Sequence, residues 1–67
     1  MRYFFHIFDG RKVFPDTVGI SFSSLAAAIR QANLLADELR KTGEFGRSNI
    51  VFVVDENGHR IFECKAS

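Results

Sequence analysis

The 67-residue chain has no tryptophan and only one cysteine, one proline and one methionine. Each scarcity removes a class of explanation. A lone cysteine, Cys64, cannot close an intrachain disulfide, and no Cys/His pair stands at zinc-ligand spacing, so the usual staples of very small domains are missing. A reducing, cytoplasmic setting is expected. The early apolar run YFFHIF is far too short to cross a membrane and lacks the charged and cleavage regions of a signal peptide. Nor is there a block of charge of one sign: the net charge is +1 overall, made of +1 over residues 1–22, +1 over 23–43 and −1 over 44–67. A nucleic-acid binder usually shows a clustered basic footprint, and this even mixture argues against one. No Gly-rich phosphate loop precedes a helix, and no Ser-centred nucleophile motif occurs.

What the chain does have is phenylalanine, eight of them with one tyrosine, and four of those nine aromatics fall in residues 3–8. Such a run favours strand over helix. Side chains alternate across a strand, which puts Tyr3, Phe5 and Ile7 on one face and Phe4, His6 and Phe8 on the other. Asp9-Gly10 then supplies a turn, and the chain returns through Lys12, Val13 and Phe14 to Pro15, which cannot donate to a ladder and ends a short second strand. Pro15-Asp16-Thr17-Val18-Gly19 reads as another turn, in which Asp16 bonds its own backbone. A brief extended stretch, Ile20 to Phe22, leads on to a helix.

Ser23 or Ser24 is the expected N-cap of that helix. Leu25, Ala28, Ile29, Ala32, Leu35, Ala36 and Leu39 fall on one stripe, with charged and amide side chains mostly opposite. Arg40 and Lys41 complement the C-terminal dipole before Gly43 stops the helix. So many alanines on the stripe imply close packing against a sheet. Glu44 to Ser48 is a polar connector in which Phe45 is a candidate anchor, and a final hairpin runs from about Asn49 to Cys64.

That hairpin has two candidate registers. A two-residue turn at Asn57-Gly58 groups Val51, Val53, Phe62 and Cys64 on one face and Ile50, Phe52, Val54, Ile61 and Glu63 on the other. A type I turn with Gly58 as a bulge groups Val51 and Val53 with Ile61 and Glu63, and Phe52 with Phe62. In both, the second face is apolar.

The fold expected is therefore α+β: one domain over residues 1–67, elements in the order ββαββ, a mainly antiparallel four-stranded sheet with one amphipathic helix on one face, and a strand order that pattern alone leaves open. One helix covers only one face of a sheet. The other face, carrying Phe4, His6, Phe8, Phe52 and Val54, should be a large apolar interaction surface, and a second copy of the chain is its simplest cover.

RYFFHIFDG, PDTVGI, SLAAAIRQANLLADELRK and VVDENGHRI together resemble a family of very small bacterial proteins of unknown function. Its members open on a similar R-Y-F-F-H-x-x-D-G motif and close on a D-E-x-G-R-like hairpin, where this chain has His59 in place of arginine. The resemblance covers nearly the whole chain and implies a fold and a bacterial cytoplasmic setting, with no catalytic or binding residue to carry over. About half the chain is also similar to antitoxins of the HicB type, in which a hairpin ending in P-D-x-x-G precedes an alanine-rich helix. Pro15 to Gly19 and the helix from Leu25 match that outline, without the acidic helix start or a following DNA-binding segment.

The chemistry-bearing residues have plain readings. His6 lies mid-strand in an aromatic run, where packing or a hydrogen bond at an interface outweighs metal ligation, and His59 follows a turn glycine and is expected in solvent. Cys64 reads as a small packed hydrophobe rather than a nucleophile. Asp9, Asp16, Asp55 and Glu56 sit beside turns, where carboxylates serve the backbone. The functional expectation is a non-enzymatic module with no cofactor and no metal that self-associates as a homodimer. The alternative is a nucleic-acid-binding or toxin-linked regulator, with bases stacked on Phe4, Phe8 and Phe52 beside Arg2, Arg11, Lys12 and Arg60, or with a small protein partner.

Overall fold

A computed structural model describes residues 1–43 and 49–66. It contains β1 (Arg2–Phe8), β2 (Val13–Phe14), β3 (Ile20–Ser21), α1 (Leu25–Thr42), β4 (Ile50–Val54) and β5 (Arg60–Lys65). The connector holding Phe45 lies outside the described residues.

All strand pairs are antiparallel, and the sheet runs in the order β2-β1-β4-β5, with β3 also paired to β1. The two hairpins predicted from sequence thus join through their first strands, β1 against β4, with Phe5 opposite Val53 and Ile7 opposite Val51. β2 and β3 share one edge of β1. The Phe5 N–H is aimed at Asp16, between β2 and β3, whereas the Arg2 N–H is aimed at Glu56 in the β4–β5 turn, on the opposite side. A single edge strand is therefore interrupted by the excursion Pro15 to Gly19, so the sheet is four strands wide. Met1 and Phe22 close the far end of this edge, each N–H donating to the other's carbonyl, at 3.1 and 2.9 Å.

Helix α1 begins at Ser24, whose Oγ accepts from the Ala27 N–H. It ends at Gly43, which takes φ 66° and donates its N–H to the Leu39 carbonyl, a conformation that favours glycine. The helix packs on β4 and β5. Ala28, Ala32, Ala36 and Leu39 are buried as the stripe requires, Ile29 and Leu35 are half-buried, and Leu25 at the first turn is exposed. Beneath them lie Val51 and Val53, fully buried, with Tyr3 and Phe5. The helix sits towards β5, and over β1 its place is taken by Phe22, whose ring lies 6.3 Å from Tyr3 and 6.2 Å, edge-on, from Phe5. Each such large apolar side chain stabilises the fold by roughly 1.5–3 kcal/mol on burial.

The last hairpin combines the two registers. Asp55 closes the turn by accepting from the Gly58 N–H and donating to the His59 carbonyl, and Gly58 takes φ 83°. That is the type I turn with a glycine bulge. Yet Val53 faces Phe62 and Val51 faces Cys64, the grouping expected from a two-residue turn. A second irregularity reconciles them: Val54 pairs with Arg60, so Ile61 is an extra residue before Val53 pairs with Phe62. Ile61 was expected on the open face in one register. It instead packs against the core, because the bulge swings it to the side of Phe62.

Candidate interaction surface

The sheet face away from α1 is built by alternate residues of the two central strands. Cross-strand pairs there are Phe4 with Val54, His6 with Phe52 and Phe8 with Ile50. All five residues singled out from sequence, Phe4, His6, Phe8, Phe52 and Val54, therefore lie on one face, joined by Ile50. They are half-buried rather than bare. Two features of the chain shield them.

The first is the Pro15 to Gly19 excursion, which folds onto this face. Gly19, at φ 77°, lies so close to the sheet that a Cβ there would stand 2.9 Å from Arg2 Cγ, Phe4 Cε2 and the Tyr3 carbonyl. Arg2 Nη1 donates to the Val18 and Gly19 carbonyls at 3.0 and 3.4 Å. Asp16 organises the loop: Oδ1 accepts from the Val18 and Gly19 N–H groups, both at 3.0 Å, and Oδ2 accepts from the Phe5 N–H at 3.2 Å. The local turn is what sequence implies, and the bond to Phe5 is not. There the carboxylate replaces the ladder partner that the interrupted edge strand cannot supply. Burial works against the Asp16 charge, but the Gly19, Phe5 and Val18 amides outweigh it and hold the carboxyl below the usual range.

His6 is tied to the same loop. Its Nδ1 accepts from the Asp16 N–H at 2.9 Å, which makes the ring the neutral tautomer with its proton on Nε2. This hydrogen bond is intrachain, whereas the sequence context points to packing or a hydrogen bond at an interface. No spacing in the sequence pairs His6 with the amide ten residues on; only the looped edge strand does.

The second shield is cationic. The Arg60 guanidinium lies 4.8 Å from the Phe52 ring centroid, whereas the similar pair of Lys12 and Phe14 belongs to the other face, since Phe14 stands opposite Ile7. Around the rest of the face stand Glu63, opposite Phe52, Lys65, opposite Ile50, and Val13, opposite Phe8 and about half exposed. The apolar strip is thus rimmed by charges of both signs.

The remaining candidates stand apart. His59 is exposed, 3.6 Å from Asp55, whose carboxyl is held below the usual range chiefly by the His59 backbone N–H. Asp9 accepts from the Arg11 and Lys12 N–H groups and is likewise lowered, by the Lys12 amide first. Cys64 is half-buried under α1, its Sγ 3.7 Å from the Ala32 carbonyl, and burial pushes its thiol up, with Arg40 opposing. No group of three His, Cys, Asp or Glu side chains able to hold a metal is found among the described residues, and no pocket opens among them. Among the described residues, no helix is long and apolar enough to cross a membrane.

A one-helix α+β sheet with an aromatic, charge-rimmed face is the class these features define. Over residues 2–67 the chain matches the family described as a domain of unknown function (DUF6894), and it belongs to that family. No curated protein and no solved structure matches it.

Proposed function

We propose that the protein is a non-enzymatic interaction module that pairs with a second copy of itself through the sheet face opposite α1. The observation that carries this reading is the continuity of Phe4, His6, Phe8, Ile50, Phe52 and Val54 across β1 and β4 on the face away from α1. The rim favours a second copy over a partner of one charge. Arg60 and Lys65 stand beside Glu63 on β5, so the rim carries both signs of charge, and the whole chain carries only +1, which leaves no strong like-charge repulsion between two copies.

The size of the face sets the expected strength. The fold measures 30 × 20 × 17 Å. Its broad side therefore offers roughly 600 Å² per copy, below the ~800 Å² per partner of a standard interface, and the dimer should be micromolar rather than nanomolar. Phe52→Asp or Phe4→Asp should abolish assembly while leaving the circular dichroism spectrum intact, and Arg30→Asp on the outer side of α1 should not. Equal assembly of all three variants would move the interface elsewhere.

A second reading is a base-stacking platform for single-stranded nucleic acid. Its support is the Arg60 guanidinium over the ring of Phe52, which lies on a central strand. The mixed rim and near-zero charge count against it. Absence of binding to single-stranded RNA and DNA at low salt removes it.

A further inference from the structure

We propose that the pairing of two copies is governed by pH through His6, an inference that rests on the proposed interface. His6 stands in the middle of that face, opposite Phe52 and between Phe4 and Phe8. Nδ1 is occupied as an acceptor for the Asp16 N–H, and Nε2 has no hydrogen-bond partner among the described residues. In the neutral ring, then, one nitrogen fastens the loop to the face and the other adds a single uncharged N–H to an apolar contact.

Protonation reverses both effects. The proton goes to Nδ1, which then confronts the Asp16 N–H donor to donor, so the bond holding the loop is lost. A positive charge also enters a surface that would have to be desolvated on pairing.

The surroundings show how far that charge is compensated. From the loop, the Asp16 carboxylate is nearby but already accepts three backbone N–H groups. β4, residues Ile50–Val54, offers no titratable group. From β5 come Arg60, over Phe52, Glu63, opposite Phe52, and Lys65, opposite Ile50. On β1 itself the charged neighbour is Arg2, bonded to the Val18 and Gly19 carbonyls. The cations reinforce the penalty, and Glu63 belongs to the next strand but one.

The released chain takes up a proton that the paired chain excludes, so lowering the pH favours release. The test is the dissociation constant of the purified protein by sedimentation equilibrium at pH 8 and at pH 5.5, beside His6→Asn. Asparagine places an acceptor near the position of Nδ1, so it keeps the Asp16 bond and carries no charge at either pH. For the unaltered chain the dissociation constant should rise at least about tenfold at pH 5.5, while His6→Asn should change by less than about twofold. A dimer equally tight at both pH values overturns the His6 inference and leaves the interface standing. A chain monomeric at both overturns the interface and the inference with it. Equal acid sensitivity in His6→Asn assigns the effect to another group, Glu63 first, and overturns the role of His6. If His6→Asn fails to fold, the Nε2 and Cε1 resonances of His6 in the unaltered protein decide: their titration must coincide with dissociation, and titration without dissociation overturns the inference.

Discussion

Arg60 and Glu63 lie three residues apart on one β-strand, yet they share a face of the sheet, with Nη1 and Oε1 3.8 Å apart. A regular strand forbids this, since residues at an odd spacing point to opposite sides. The extra residue at Ile61 restores the parity. Its consequence reaches the surface: Arg60 is thereby placed over the Phe52 ring, and Glu63 is placed beside the same ring. Both ends of this ion pair are more than half exposed, so its own contribution to stability is small. Its importance lies in giving the rim both signs of charge.

Two glycines of positive φ should respond very differently to alanine. Gly58 at φ 83° has open space around it, so Gly58→Ala should cost only the backbone term, about 1 kcal/mol. Gly19 at φ 77° adds a clash with the Tyr3 carbonyl and the Phe4 ring at 2.9 Å. Gly19→Ala should therefore lose about 3 kcal/mol or more. Urea unfolding of the two variants measures the difference, and equal losses would place the loop away from the sheet.

Much of this was legible before the fold was described, and the exceptions share a cause. A helix cap at Ser23 or Ser24, the stop at Gly43, the short strand before Pro15 and the two faces of β1 follow from side-chain chemistry and period alone, and the fold selects Ser24 as the cap. The order β2-β1-β4-β5 does not, because it depends on which strand edges meet. Neither does the second bulge, since Ile61 sits equally well on either apolar face until the pairing of Phe62 with Val53 decides. The strand period alone puts Phe4, His6 and Phe8 on one side of β1, but their shielding has no signal in the sequence: nothing in PDTVG shows that Asp16 reaches the Phe5 amide or that the loop lies on Phe4 and His6.

Asp16→Ala leaves the Phe5, Val18 and Gly19 amides without their acceptor. It should destabilise the fold by about 2–3 kcal/mol. Asp16→Asn keeps one carbonyl oxygen for the turn and should recover about half of that loss. Hydrogen exchange gives a sharper view: the Phe5 amide should lose protection in both variants, whereas the Val18 and Gly19 amides should lose it only in Asp16→Ala.

Acid sensitivity follows from the sign of the carboxylate shifts. Asp9, Asp16 and Asp55 all bind their protons more weakly in the folded chain than the ordinary value of 3.8. Each therefore adds stability above that value, and the contribution is lost as pH falls below about 4 through the folded values. The urea midpoint should be flat with respect to these groups from pH 7 to 5 and fall below 4. Asp16→Asn should have a shallower fall than the unaltered chain.

The alanine stripe predicts intolerance of larger groups. Ala32 is fully buried, and its carbonyl is the contact of the Cys64 thiol. Ala32→Leu has no room to enter and should cost about 1–3 kcal/mol. Leu34, on the same helix but 56% exposed, should accept Leu34→Ala with a change within about 0.5 kcal/mol, and thermal unfolding of the pair checks both.

The central claim, pairing through the face of Phe8, Ile50, Phe52 and Val54, is tested most directly by the solution mass. Light scattering at pH 8, from micromolar to millimolar chain and at low and high salt, should show twice the 7.6 kDa chain mass at high concentration, undiminished by salt. A monomer at millimolar concentration in both salts would contradict the claim.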